Sequence, residues 1–317
     1  MTAVEYFYTM KHVPMITSIP LRKINASDKR FSISYPPVDE LLLSSIKKVG
    51  IIQPVVLLDG HPFTVVTGFK RIEAAKKLGL KEVPAVTVML SEKEALLFAI
   101  HDNLHRGLNM IEKAHALKKM VSMGFPESEI HEVMVLFSLG PHEKVLAHFL
   151  AIARAEEPLK HFIFANALSM KNIEYMLWFE KVERKKIMTA LASTRLTESY
   201  LREIFEMLHL MKIKKGRFVN GILKYAGNAQ ELRTRLKKIT HPRLSSLEKK
   251  LEEIRKASAL PPALDIRVDP FFEKEYIDIT IRARSEEKTR ELLEKLGEVL
   301  QKGHIRSILE LTKGRVR

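Results

Sequence analysis

The stretch that decides the fold is FTVVTGFKRIEAAKKLG, residues 63–79. Its first five residues, 63–67, are β-branched or aromatic, which is typical of a strand. Gly68 interrupts the run, and a helical segment over 69–78 follows and ends at Gly79, a residue that tolerates the left-handed backbone at a helix end. The stretch predicts a strand, a turn at glycine and a helix.

The start of this helix has the properties of an anion site. The first turn of a helix has backbone N–H groups without partners and about half a positive charge from the helix dipole. Gly68 permits close approach to the backbone, and Lys70 and Arg71 add two full charges. A triphosphate fits this description. An ordinary strand-to-helix turn with solvated basic side chains fits it equally, because a single glycine is a weak phosphate signature.

Short strands and amphipathic helices alternate around this stretch, from Ile16 to Met89, as in a small mixed α/β domain. The Asp-Gly of the turn at 59–62 predicts a hairpin. Ser91 and Glu94 form a capping box that predicts a helix to about Arg106. The other elements expected here are an extended segment over 16–24, a helix over 38–49 closed by Gly50, and strands over 52–58 and 83–89.

After Gly107 the strand pattern ends, and residues 110 to about 215 have leucine, methionine and phenylalanine at helical spacing. Within them, residues 124–155 have the length and the central Gly140-Pro141 break of a helix-turn-helix, and two plainly packed helices explain the same pattern. The basic stretch 214–244 is expected to be a partly helical connector. The predicted domains are 1–109, 110–213, 214–244 and 245–317.

The predicted C-terminal domain has the order helix, strand, strand, helix. Ser245 and Glu248 form a second capping box, and strands over 264–268 and 276–283 precede a helix over 286–300. So short a unit has little core of its own, which makes dimerisation through the sheet or the helices a reasonable expectation. The fold class expected for the whole chain is α+β.

Positive charge is concentrated in one part of the chain. The 317 residues include 53 lysines and arginines against 38 acidic residues, a formal net charge of +15. Residues 211–260 contain 14 of the basic and 4 of the acidic residues, an excess of 10. Such clustering favours a polyanionic partner, namely nucleic acid, over a general solubility surface.

The composition also excludes several classes of protein. The chain has no cysteine, which excludes disulfides, thiolate metal sites and cysteine nucleophiles, and which is typical of a cytoplasmic protein. The opening residues lack the pattern of a secretory signal, and no segment has the ~20 apolar residues that span a bilayer. No membrane partner is expected.

Three segments occur in order: GIIQPVV (50–56), TGFKRIEAA (67–75) and DNLHR (102–106). Together they resemble the three nucleotide-binding motifs of the ParB/sulfiredoxin superfamily, found in partition proteins that bind and slowly hydrolyse CTP. The motif resemblance covers about residues 16–115, whereas the rest matches the family's domain order only in architecture. It implies a ParB-like N-terminal domain, and a nucleoid-associated homodimer that binds DNA as a CTP-gated clamp and works with a ParA-like ATPase.

The resemblance also implies roles for individual residues. Arginine offers two parallel N–H donors to phosphate oxygens, and carboxylate and amide oxygens suit Mg²⁺, so the residue types agree with these roles. Gln53 is expected near the base or ribose, Thr67, Gly68, Lys70 and Arg71 around the phosphates, Asn103 and Arg106 at the triphosphate, and Asp102 with Asn103 at its Mg²⁺.

The chain departs from the family pattern at three positions of these motifs. Partition proteins usually have Gly-Glu-Arg-Arg where this chain has Gly68-Phe69-Lys70-Arg71, and Glu-Asn where it has Asp102-Asn103. Phe69 and Lys70 remove polar contacts, which leaves weakened, altered or absent CTP hydrolysis open. Nucleotide binding is the expectation that the motifs favour.

Candidate DNA contacts lie in two regions. The second helix of the candidate helix-turn-helix begins with fewer base-reading side chains than the family's usual serine, arginine or lysine, and a buried helical role is equally consistent with it. Its candidates are Lys144, His148 and Arg154. In the basic stretch the candidates are Lys214, Lys215, Arg217, Arg233, Arg235, Lys237 and Lys238.

Three enzymes are alternatives. Sulfiredoxin requires a cysteine after the motif glycine, where this chain has Phe69, so sulfinic acid repair is excluded. A ParB-like free serine kinase uses an acidic general base, for which Asp39 or Glu40 is available, although acidic residues at a helix start more often stabilise the helix. A metal-dependent nuclease needs a cluster of acidic ligands, which the sequence does not show.

Overall fold

The computed structural model describes residues 15–37, 40–192, 196–215 and 229–313. Two compact units divide the chain. The first contains the described residues among 1–188 and 195–202, and the second contains those among 189–194 and 203–317. Each unit is described by itself below.

The first unit begins with a mixed five-stranded sheet in the order β1-β5-β3-β4-β2. The central pair β3/β4 is antiparallel, as is β1/β5, whereas β3/β5 and β2/β4 are parallel. The parallel pair β3/β5 requires a crossover, and the chain makes it through the helix that follows Gly68. The strands are β1 (Thr17–Pro20), β2 (Ile24–Asn25), β3 (Val55–Leu58), β4 (Phe63–Thr67) and β5 (Glu82–Val88).

The helices α1 (Glu40–Val49), α2 (Phe69–Lys77) and α3 (Glu92–Leu104) accompany this sheet. Helix α3 packs against β4, and α2 packs against β3 and β5. The side chains between them are fully buried and apolar, so the sheet holds the ends of α2 and α3 in place. They include Val55, Leu57, Val65, Ala74, Ala75, Leu96 and Ile100.

The rest of the first unit is helical. Helix α4 (Met110–Ser122) begins with a capping box in which Asn109 and Glu112 each bond the other's backbone N–H. Helix α6 (Glu143–Arg154) packs mainly against α4. The helices α5 (Glu127–Leu136), α7 (Glu157–Ala165), α8 (Met170–Trp178), α9 (Lys181–Leu191) and α10 (Glu198–Lys215) complete the helical series, and α9 and α10 continue into the second unit.

The second unit contains an antiparallel pair of strands, and buried side chains of α12, α13 and α14 form a core with the first of them, β6. Its core contains Leu247, Leu251, Ile266, Val299 and Ile308, all almost completely buried. The elements are α11 (Ala229–Thr240), α12 (Pro242–Ser258), β6 (Leu264–Val268), β7 (Ile277–Ile281), α13 (Glu286–Gln301) and α14 (His304–Thr312).

The α+β fold class is confirmed, and β4 has the predicted bounds. Three details of the prediction are wrong. The strand predicted from residue 52 begins at Val55, because Pro54 has no N–H for a sheet and Ile52 is 80% exposed. The helix predicted from Ser245 begins at Pro242 with His241 as its N-cap, since proline is well accommodated in a first turn. Helix α14 was not predicted.

Candidate functional site

Gly68 shapes the start of α2. Its φ of +93° lies in the left-handed region. A Cβ built on it would lie 2.7 Å from Cγ1 of Val55 and 3.3 Å from Cζ of Arg71, so only glycine fits without a shift of its neighbours. No side chain caps the helix. The first-turn N–H groups of α2 are therefore left for an acceptor other than a capping side chain, as the sequence predicted for an anion site.

Arg71 joins the first two sequence motifs. Its Nη1 donates to the backbone carbonyl of Gln53 at 2.6 Å and to that of Pro54 at 2.7 Å. Burial lowers the pKa of the guanidinium, and the nearby carboxylate of Asp102 acts in the opposite direction. The structure thus brings together the segment after Gly50, the start of α2 and the end of α3.

Arg106 is held by a buried carboxylate. Its guanidinium donates to both oxygens of Glu112, at 2.7 and 3.0 Å, and Glu112 is completely buried. Its Nε donates to Oδ1 of Asn103 at 2.9 Å, while Nδ2 of Asn103 donates to the carbonyl of Ala99. Asn103 and Arg106 thus bond each other, and each has a further partner within the protein.

Glu112 is the residue that the sequence reasoning missed. Besides Arg106, it accepts from the backbone N–H of Tyr35 at 3.0 Å and from that of Asn109. Asn109 in turn donates to the carbonyl of Tyr35 at 2.8 Å. The spacing of Asn109 and Glu112 is that of a capping box, which was a signal available in the sequence. This cluster connects the end of α3, the start of α4 and the segment that precedes α1.

The remaining predicted nucleotide contacts differ in exposure. Gln53 is exposed and Lys70 is half-buried. Oγ1 of Thr67 is buried without a hydrogen-bond partner among the described residues, which is uncommon for a hydroxyl in a folded protein. Phe69 is 7% exposed, with the ammonium of Lys29 5.2 Å from its ring centroid. At the position where the family usually has glutamate, an aromatic ring thus packs beneath a lysine.

Residues 8–104 match the model of the family described as the ParB N-terminal domain. The chain contains a ParB-like N-terminal domain. Sequence relatives are similar over a longer stretch than the family model matches. The chromosome-partitioning protein ParB of Myxococcus xanthus is 29% identical over 166 residues, which are 51% of this chain and 54% of that protein. The probable ParB of Vibrio cholerae is 27% identical over 165 residues, 51% of this chain and 55% of that protein.

A nucleoid occlusion protein of Geobacillus kaustophilus is 26% identical over 171 residues, 53% of this chain and 58% of that protein. The chain thus spans a little over half the length of these curated relatives. A solved structure of C-terminally truncated ParB from Caulobacter crescentus complexed with CTP-gamma-S is 19% identical, with a TM-score of 0.27, and covers 55% of this chain and 99% of that chain. Because this TM-score is low, the similarity to ParB proteins rests on sequence.

In the helical part of the first unit, the candidate DNA residues Lys144, His148 and Arg154 lie on α6. Lys144 and Arg154 are exposed. Nδ1 of His148 lies 2.9 Å from a carboxylate oxygen of Glu174. Helices α5 and α6 occupy the segment predicted as a helix-turn-helix, with Gly140-Pro141 in the connection.

In the second unit, ion pairs occupy several candidate DNA residues. Arg233 pairs with Glu203 at 2.7 Å, Arg235 with Glu231, and Lys237 with Glu248. Lys238 is exposed, and Lys214 is exposed with its Nζ 3.5 Å from the carbonyl of Thr240. Arg217 and the side chain of Lys215 lie outside the described residues. The charge free for a polyanion is therefore smaller than the sequence count indicates.

The alternatives gain no support from the described residues. Within them, no group of three or more histidine, aspartate or glutamate side chains has the arrangement of a metal site, as a nuclease would need. For the kinase alternative, Glu40 is the first residue of α1 and Asp39 lies outside the described residues. None of the described helices combines the length and apolarity that a transmembrane span needs.

Proposed function

We propose that the chain is a ParB-like, nucleotide-gated DNA-binding protein that takes part in chromosome or plasmid partition or a related regulation. The observation that carries the proposal is the uncapped start of α2 after Gly68, within a domain that matches the ParB N-terminal family. The amides of Phe69, Lys70 and Arg71 are suited to phosphate oxygens, and the half-buried ammonium of Lys70 supplies a charge. The resemblance of the three motifs points to CTP as the nucleotide.

A magnesium ion could bind here with few protein ligands, because Mg²⁺ in nucleotide sites is usually held by one or two carboxylates together with phosphate oxygens. Asp102 is the carboxylate that the site supplies, since it lies close enough to Arg71 to affect its pKa. The amide of Asn103 is engaged with Arg106 and Ala99, so Asn103 has to exchange a partner to serve as a ligand. When bound, the ion neutralises charge on the triphosphate.

Arg106 supplies the basis for gating. A triphosphate and Glu112 compete for the same guanidinium, and Glu112 also bonds the backbone of Tyr35 at the segment before α1. Exchange of partners at Arg106 would thus shift the end of α3 relative to the start of α4, and two discrete arrangements of packed elements are the usual basis of such switches.

The nucleotide proposal is tested by isothermal titration of the full chain with CTP, ATP and GTP in the presence of Mg²⁺. We expect CTP to bind, and Lys70→Gln to weaken it about tenfold or more, since a charge-assisted bond to phosphate is worth about 1.5–3 kcal/mol. Lys76→Gln is the matched control, because Lys76 is an exposed lysine at the other end of α2. Absence of binding by the wild type at millimolar nucleotide would contradict the proposal.

The DNA proposal is tested by the salt dependence of duplex binding, followed by fluorescence anisotropy. Exposed Lys238 and Lys144 are the substitution sites, because Arg233, Arg235 and Lys237 have carboxylate partners whose loss would disturb the fold. Lys238→Glu is expected to reduce the slope of log K against log salt by about 1. Lys302→Glu, at an exposed residue that ends α13, serves as control. An unchanged slope in both lysine variants would place the DNA contacts elsewhere.

A homodimer through the second unit is part of the proposal. Leu293 and Leu300 on α13 are 50% and 55% exposed, and Ile279 on β7 is 39% exposed, so apolar surface is available there for a second copy. Sedimentation equilibrium is expected to give twice the monomer mass, and Leu293→Glu to shift the mass toward the monomer. A ParA-like ATPase remains the proposed protein partner, and a pull-down with such an ATPase tests it.

A further inference from the structure

A second cationic cavity lies in the first unit, apart from the residues of the nucleotide site. Its volume is about 450 Å³, and the segment 29–34 forms its wall together with helices α4, α6 and α7. No acidic side chain among the described residues lines it. Its cationic lining consists of Lys29, Arg30, Lys118, Lys119 and Lys160, with His115 beside them.

Two of these five cations are neutralised by carboxylates outside the cavity. Arg30 pairs with Asp28 at 2.8 Å and also with Glu92, and Nζ of Lys160 donates to Glu157 at 2.8 Å. Because Asp28, Glu92 and Glu157 are not part of the lining, the described part of the lining contains no carboxylate.

The other three cations have no carboxylate within ion-pair distance among the described residues. Nζ of Lys119 donates to the carbonyl of Lys29 at 2.7 Å, Nζ of Lys29 contacts the ring of Phe69, and Lys118 is exposed. These partners are neutral, so three positive charges surround the cavity without compensation.

The titration behaviour of the lining agrees with this excess of charge. Burial lowers the pKa of Lys119, and the neighbouring Lys118 lowers it further, while Asp28 has a smaller opposite effect. Burial is the main cause that lowers the pKa of His115, and the charge of Lys160 lowers it further. Like charges therefore disfavour one another here, and a bound anion would relieve that repulsion.

The polar groups of the lining suit phosphate oxygens. Ser32 and Ser34 contribute hydroxyl groups to the lining, whereas the hydroxyl of Ser122 donates to the carbonyl of Lys118 at 2.8 Å. Hydroxyl and ammonium donors are the usual partners of phosphate. The volume lies within the range of about 300–1,000 Å³ of small-molecule sites. Lys160 is recessed, with its side chain 10% exposed, out of easy reach of the convex backbone of a duplex.

We infer that this cavity is a second anion site, which takes a small polyphosphate such as a free di- or triphosphate or the phosphate chain of a nucleotide. The site is distinct from the proposed nucleotide site, because its lining shares no residue with Gln53, Gly68, Lys70, Arg71 or Arg106, although Lys29 of the lining contacts the ring of Phe69. It stands whether or not the chain binds CTP.

The test is isothermal titration of the full chain with inorganic tripolyphosphate in the absence of Mg²⁺. Lys118→Gln/Lys119→Gln is expected to weaken binding about tenfold or more, because it removes two charge-assisted partners of the anion. The single variant Lys118→Gln, at an exposed side chain, is expected to weaken it about threefold or more without affecting folding. Lys76→Gln/Lys77→Gln, an adjacent lysine pair on α2, is the matched control and is expected to change affinity less than about twofold.

Covalent labelling gives a readout specific to the site. Pyridoxal 5′-phosphate carries both a phosphate group and an aldehyde. The aldehyde condenses with a lysine amine to form an imine with loss of water, and borohydride then reduces the imine to a stable secondary amine. Peptide mapping is expected to find the label on Lys118 or Lys119, and tripolyphosphate is expected to suppress it. Label spread evenly over the exposed lysines, unaffected by tripolyphosphate, would overturn the inference.

Parallel titrations separate this inference from the proposed function. Lys118→Gln/Lys119→Gln is expected to bind CTP with Mg²⁺ within about twofold of the wild type. If the wild type binds no CTP but the tripolyphosphate effect persists, the proposed function fails and the second site stands. If tripolyphosphate affinity is unchanged in the variant while duplex DNA affinity falls, the cavity belongs to a DNA surface and the inference is overturned.

Discussion

Replacement of Gly68 by alanine tests how tightly the start of α2 is built. Alanine in the left-handed region costs about 1–2 kcal/mol relative to glycine. The new Cβ would also lie 2.7 Å from Cγ1 of Val55, a side chain that is completely buried. Overpacking of this kind costs about 1–3 kcal/mol. Together the two effects predict a loss of about 2–5 kcal/mol in the free energy of unfolding.

Gly79→Ala is the matched control for Gly68→Ala. Gly79 lies just after the same helix, has a φ of +68°, and has no atom within 4 Å of a built Cβ. Its replacement is expected to cost only the backbone strain, about 1–2 kcal/mol. Denaturant unfolding measures both variants, with the fluorescence of Trp178, the one tryptophan of the chain, as the probe.

A double variant isolates the steric contribution. Val55→Ala removes the methyl group that the new Cβ would meet, so Gly68→Ala is expected to cost about 1 kcal/mol less in the Val55→Ala background than in the wild type. If Gly68→Ala is no more destabilising than Gly79→Ala, or if Val55→Ala does not reduce its effect, the close packing inferred at this turn is wrong.

Three further predictions concern stability. Glu112→Ala is expected to cost about 3 kcal/mol or more in urea unfolding, because Glu112 is a completely buried partner of Arg106 and of two backbone N–H groups; a cost like that of exposed Glu127→Ala would contradict the described cluster. The hydrogen bond from Arg184 lowers the pKa of Glu156 below its usual 4.5. This bond stabilises the fold fully above that pH, and the stabilisation is lost as the pH falls through the folded-state pKa. Glu156→Gln should therefore reduce the loss of unfolding free energy between about pH 5 and pH 3, and an unchanged pH profile would contradict the ion pair. Ile308→Ala, at a fully buried residue of α14, should cost about 2–5 kcal/mol by circular dichroism. Phe271→Ala, at a 69% exposed residue of the same unit, should cost much less, and equal costs would contradict the place of α14 in the core.

The sequence predicted the elements around Gly68 well, because strand and helix signals there are local. β-Branched residues define β4, and the glycine marks the start of α2. The N-terminal extended segment was less predictable, since β1 pairs with β5 and β2 with β4, partners far away in the chain. Helix α14 was missed because the predicted order of the domain, helix-strand-strand-helix, contained only one helix after the strands.

The site was predictable in part. Arg71 bonds the backbone carbonyl of Gln53 and lies near enough to Asp102 for the carboxylate to affect its pKa, while the roles of these residues in nucleotide binding stay predictions. The motif order did not indicate that Arg71 would bond backbone carbonyls or that Arg106 would bond Glu112, because these partners depend on the packing of α3 against the start of α4. Likewise, charge counted along the chain could not show that Arg233, Arg235 and Lys237 pair with carboxylates.

The outer strands of the five-stranded sheet have a consequence for how the protein meets other molecules. On the two edges are β1, with four residues, and β2, with two. A strand from another chain would find few unpaired main-chain groups there, and short edges are one means by which proteins avoid aggregation through their sheets. Recognition by strand addition is thus disfavoured at this sheet, so molecules that associate with it are expected to do so through side chains and helix ends.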